Sequence, residues 1–91
     1  MTVKILIPTS LQKYTNDQAA LEYDVDTIDT LISVIGTNFP EIKGHLIDDN
    51  NNLYRFLNFY VNNEDIRFLD NIQTKLKDGD EVSIISAIAG G

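Results

Sequence analysis

The residues with the most specific chemistry to offer are Ala87-Ile88-Ala89-Gly90-Gly91, the last five of the 91-residue chain. Gly90 and Gly91 carry no side chains, so the reactive group there is a terminal carboxylate on a bare backbone. Without Cβ atoms such an end can thread a narrow enzyme channel and take φ values closed to other residues. Five extended residues reach roughly 17 Å, enough to pass from a domain surface into a neighbour's active site. Glycine makes up about 7% of ordinary sequence, so a terminal pair arises by chance in roughly 0.5% of chains. The signal gains weight from the β-like run that leads into it. Residues 87–91 are accordingly expected to form an exposed, flexible tail on a single domain spanning 1–91.

Other chemistries are poorly supplied. There is no cysteine, hence no disulfide, thiolate metal site or thiol nucleophile. Asp48, Asn50 and Asn52 match the first ligand positions of an EF-hand. The sixth position is Leu53 in place of glycine, and the twelfth is Phe59 in place of a bidentate glutamate, so calcium binding is rejected. His45 is the single histidine, too few for a metal centre and without a sequence-evident partner for acid-base work. A surface or packing role is the reading for it. Ser10, Ser33, Ser83 and Ser86 form no recognisable Ser-His-Asp grouping, and no glycine-rich phosphate loop occurs. No catalytic residue, metal site or bound cofactor is expected.

Composition agrees with a small interacting domain. The chain is 43% hydrophobic and 23% charged, as in ordinary globular proteins. A domain of this length buries little more than about 60% of its unfolded surface and leaves small room for an enclosed cleft. Fourteen acidic residues against seven basic give a net charge of −7. Phosphate backbones need clustered Lys and Arg, so no nucleic-acid partner is expected. The acidity favours solubility and steering toward basic surfaces on proteins. The apolar run Val3-Lys4-Ile5-Leu6-Ile7 ends at Pro8, too short for a signal or membrane segment, and a cytoplasmic location with no membrane partner is expected.

The elements that must hold the tail can be read in order. Val3, Ile5 and Ile7 on one parity, with Leu6 on the other, and the β-branched content predict a first strand over 2–7. A loop over 11–18 follows, with Tyr14 packing back, then a second strand over 20–25 pairing antiparallel to the first. Ile28, Leu31, Ile32, Ile35 and Phe39 form one apolar stripe and predict a helix over 27–38, with Asp26 as N-cap. Gly36, Asn38 and Pro40 are expected to end it. A short helical turn over 41–46 places Ile42 and Leu46 inward. The Asp- and Asn-rich stretch 48–52 is a loop. A rich strand over 53–61, a tight turn at Asn62-Asn63, a fourth strand over 65–68, a connector over 69–77 and a last strand over 82–88 complete the order β-β-α-β-β-β. The strand over 53–61 has both parities apolar. Leu57, Phe59 and Val61 face the helix, leaving Phe56 and Tyr60, extended by Ile85, as a partner-docking face.

The residues Arg55-Phe56-Leu57-Asn58-Phe59-Tyr60-Val61-Asn62-Asn63-Glu64-Asp65-Ile66-Arg67-Phe68, the turn Asp78-Gly79-Asp80-Glu81-Val82 and the diglycine end resemble the ubiquitin-like sulfur carriers of the MoaD/ThiS family. They cover most of the second half; the first half is similar in element order more than in residues. The resemblance implies an α+β β-grasp fold, a five-stranded mixed sheet with one main helix packed on one face. It implies that an E1-like activating enzyme spends ATP to adenylate the Gly91 carboxylate, and that a sulfur donor converts it to a thiocarboxylate. Gly90 gives a flexible approach, and Ala87, Ile88 and Ala89 are gripped by partners. The length and the stretch Val61–Phe68 most resemble carriers of cysteine biosynthesis. Those serve a PLP-dependent cysteine synthase, with a metalloprotease releasing the product. Sulfur donation toward molybdopterin, thiamine, methionine or a secondary metabolite is the alternative within the family. A ubiquitin-like modifier joined to lysines, or a binding module whose diglycine is incidental, are the alternatives outside it.

Overall fold

The computed structural model describes residues 2–50 and 52–86. Strands β1 (Val3–Leu6), β2 (Ala20–Tyr23), β3 (Leu57–Val61), β4 (Glu64–Asp65) and β5 (Glu81–Ser86) form one five-stranded mixed sheet in the order β2-β1-β5-β3-β4. β1 pairs antiparallel with β2 and parallel with β5, and β3 is antiparallel to both β5 and β4. Helices α1 (Ile28–Asn38) and α2 (Pro40–Leu46) cover one face.

Alternation on the strands decides which face that is. Val3, Ile5, Leu57, Phe59, Val61, Val82 and Ile84 are buried, while Lys4, Asn58, Tyr60, Ser83 and Ile85 between them are not. Ile28, Leu31, Ile32 and Ile35 from α1, with Ile42 and Leu46 from α2, meet them in one core. Each such buried aliphatic or aromatic side chain contributes roughly 1.5–3 kcal/mol relative to exposure. The expected parity of Leu57, Phe59 and Val61 therefore holds.

Local chemistry shifts several boundaries. Thr27, one residue later than expected, caps α1: its Oγ1 accepts from the Thr30 amide at 3.1 Å, while Asp26 accepts from the Thr30 hydroxyl at 3.4 Å. Gly36 lies inside the helix and does not end it. It faces α2, where a Cβ would meet the Lys43 stem at 3.4 Å. Pro40 opens α2 at its first turn, where a missing N–H costs nothing. The segment expected as a loop begins as a 3-10 helix, Thr9–Tyr14, because Leu11 is buried there.

The strand expected over 53–61 is shorter. Leu53 makes only an isolated bridge to Ile47, and the chain turns at Arg55-Phe56 before β3 starts at Leu57. The fourth strand ends after two residues, because Asp65 Oδ1 accepts from the Arg67 amide and starts a 3-10 turn over Ile66–Phe68. Asn62 and Asn63, at φ 51° and 73°, make the tight β3–β4 turn in the left-handed region that asparagine tolerates. Asn62 also ties that turn to β5: its amide N–H reaches Glu81 O at 2.8 Å, and its Oδ1 accepts from the Glu81 amide at 3.0 Å. Gly79, at φ 87°, shapes the turn into β5 and donates to Thr2 O at 2.8 Å.

Candidate functional site

The site must be built around the exit of β5. β5 lies at the centre of the sheet, paired with β1 on one side and with β3 on the other, so its last described residue, Ser86, leaves from the middle of the fold. The predicted tail residues Ala87, Ile88, Ala89, Gly90 and Gly91 lie outside the described residues.

Of the predicted docking residues, two come together. Ile85 stands opposite Asn58 and Tyr60 opposite Ser83, which makes Ile85 and Tyr60 diagonal neighbours on the face away from the helices. Ile85 is 47% exposed, and Leu6 of β1 sits beside Ser83 on the same face. Phe56 is placed differently. It belongs to the turn before β3, with its ring stacked on Tyr54 at a centroid distance of 5.0 Å. Opposite this pair Tyr14 stacks on His45 at 4.2 Å, and the four rings flank an open groove of about 600 Å³ that runs to Ser86. The Tyr54 hydroxyl donates to Gly44 O at 3.2 Å and fixes the groove to α2. The histidine thus packs as an aromatic, and among the described residues no cluster of three His, Cys, Asp or Glu could hold a metal. Tyr14 and Tyr54 were not singled out as site residues, because only the helix-sheet contact shows that segments 40 residues apart in sequence face one another.

Electrostatics concentrate beside β4. Asp65 is buried and accepts from Arg67 Nε at 3.1 and 3.2 Å, from Nη2 at 2.7 Å and from the Arg67 amide at 2.8 Å. The Arg67 side-chain bonds, then its amide, hold the Asp65 carboxyl below the usual carboxylate range; the pairing raises Arg67 in turn. A carboxyl whose folded pKa is depressed stabilises above its unfolded value, about 4, and loses that contribution as pH falls through the lowered folded value. Thermal melting followed from neutral to strongly acidic pH should therefore show a shallower acid limb in Asp65→Asn than in the parent chain. Parallel acid limbs would remove Asp65 from the stability account.

A mixed sheet of five strands with its last strand central, carrying helices on one face, defines a ubiquitin-like β-grasp protein. The chain belongs to the ThiS family, whose model matches residues 5–91. A relative in Mycobacterium tuberculosis, "Sulfur carrier protein CysO", is 40% identical across the whole of both chains. Among solved structures, the Amycolatopsis orientalis BexX/CysO complex contains a chain that superposes at a TM-score of 0.89 with 36% identity, covering 98% of this chain and 99% of that one. The crystal structure of M. tuberculosis CysO superposes at 0.87 with 38% identity, covering 94% and 99%.

Proposed function

We propose that this protein is a sulfur carrier whose cargo is held at Gly91. The observation that carries the reading is a diglycine that follows β5, the central strand of a β-grasp domain, after three intervening residues in the sequence. A carboxylate is a poor electrophile until one oxygen becomes a leaving group. In the proposed cycle the Gly91 carboxylate attacks the α-phosphate of ATP in an E1-like activating enzyme, and pyrophosphate departs. Sulfide then displaces AMP to leave a thiocarboxylate; a persulfide donor does the same if a second thiol cleaves the acyl disulfide. Beyond the terminal carboxylate that is itself modified, the carrier supplies no acid, base or nucleophile and acts as co-substrate, in the cytoplasm where ATP and its partners are found. Among the described residues no helix is long and apolar enough to cross a membrane.

The relatives named as CysO favour delivery into cysteine formation, through a PLP-dependent cysteine synthase with a metalloprotease freeing the product. A CysO chain solved in complex with BexX supports a protein partner for this domain. On this chain the seat is the open face of Tyr60 and Ile85, next to the exit of β5. Ile85→Asp places a charge where a partner must bury an apolar side chain, a change worth about 2 kcal/mol or more at an interface hot spot. It should raise the KM for activation roughly 30-fold at an unchanged Tm. An Ile85→Asp chain that unfolds would assign the residue to stability instead.

The reading is tested by intact mass of the protein purified from its own cells, and after incubation with its activating enzyme, ATP and a sulfur donor. A species heavier by one oxygen-to-sulfur exchange is the expected result. An unmodified mass under both conditions, with lysine-linked conjugates in the cell extract, would replace the carrier by a protein modifier.

A further inference from the structure

Both arginines of this acidic chain line one groove. Arg55, in the turn before β3, and Arg67, after β4, are twelve residues apart in sequence. They line one recess of about 420 Å³ together with Tyr54, Asn58 and Asn71. None of the five lysines lines it, and of the fourteen acidic residues only Asp65 does. Asp65 is already committed: both its oxygens take N–H donors from Arg67. That bidentate grip orients the Arg67 guanidinium while its side chain stays 59% exposed, and among the described residues nothing accepts from Nη1. Arg55 is exposed and has no ion pair among the described residues. Phe68, next to Arg67, is 82% exposed and serves no core contact.

We propose that this groove is a docking site for an acidic segment of a partner protein, whose carboxylates pair with Arg55 and Arg67 while an apolar side chain covers Phe68. Arginine presents a planar fork that matches a carboxylate, and one already fixed by Asp65 loses little freedom on docking. At physiological ionic strength charges beyond about 8 Å are screened, so the local pair decides the outcome in spite of the net −7. The location fits one partner for groove and tail. Leu57 lines the groove and pairs with Ser86, so a protein gripping the chain at the exit of β5 also covers the arginines. The identity of that partner rests on the carrier reading; the chemistry of the groove does not.

The test is an NMR titration of the full chain with a capped tetraglutamate peptide at physiological salt. Saturable shifts are expected at the amides of 54–58 and 67–71. Arg55→Glu should weaken the apparent affinity about tenfold at least, while Lys43→Glu, an equal charge change elsewhere, leaves it nearly unaltered. Equal weakening by the two variants, or shifts centred on Lys75 and Lys77, would overturn the proposal. Inorganic phosphate reproducing the same shifts at equal concentration would reduce the groove to a small-anion site and overturn the protein-segment assignment. Neither ATP nor sulfur enters the titration. An unmodified mass with a saturating titration thus removes the carrier reading alone, and a thiocarboxylate with no titration removes the groove alone.

Discussion

A chain shortened by Gly91 alone is expected to keep its fold and to lose at least about a hundredfold in sulfur loading. The shortened chain still ends in a glycine carboxylate, so the loss isolates position from chemistry. Its reacting carbon falls short by one residue, roughly 3.3–3.6 Å. Reacting atoms displaced by even about 1 Å can cost about a hundredfold in rate, because attack on the α-phosphate needs near-contact geometry. Among the described residues the core runs from Val3 to Ile84, and a deleted glycine takes no side chain with it, so the melting temperature should not move. Intact mass after incubation with the activating enzyme, ATP and sulfide, beside a thermal melt, reads both quantities. Full loading of the shortened chain would mean that the position of the end does not matter, and the carrier mechanism would fall with it.

Phe59→Ala is expected to cost about 3–5 kcal/mol, the usual range for truncating a buried phenylalanine. Phe59 is 1% exposed, stands opposite Ile84 on β5 and is the largest fully buried side chain in the described core. Small domains sit toward the lower part of the 5–15 kcal/mol range of native stability, so this one change removes a large share of it. The melting temperature should fall by on the order of 15–30 °C. Phe68→Ala is the matched control: the same atoms are removed from a ring 82% exposed, with an expected change within about 0.5 kcal/mol. Denaturant unfolding of the two variants decides the matter. A small loss at Phe59 would mean that neighbouring side chains collapse into the space.

Much of this fold was legible because burial leaves a period. The stripe Ile28, Leu31, Ile32, Ile35 gave the main helix, and the alternation of Leu57, Phe59, Val61 gave the helix-facing side of β3. The cap was missed by one residue, since Asp26 and Thr27 are both good caps and only backbone geometry chooses between them. The stretch 53–56 reads as strand from composition, yet Leu53, Tyr54 and Phe56 are half-buried by packing against the core and not by continuing the ladder, and Arg55 is exposed. Asp65 ended β4 early through a bond from the Arg67 amide that no periodicity announces. The pairing of Arg55 with Arg67 in one groove was hidden for a related reason: the turn at Asn62-Asn63 folds them together, and a scan for charge clusters along the chain does not see it.

The central place of β5 has a consequence for how the protein comes into being. Its parallel partner β1 begins the chain, and the pair Lys4 and Glu81 are separated by 81 − 4 = 77 residues. Contacts that distant are slow to form, because chain entropy is lost before they return any stabilisation. Until β5 arrives, β2-β1 and β3-β4 are two hairpins with no hydrogen-bonded link between them. The strand that joins them is the one from which residues 87–91 continue. An immature chain therefore lacks a finished sheet, and the arrival of its last strand joins the two halves in a single step.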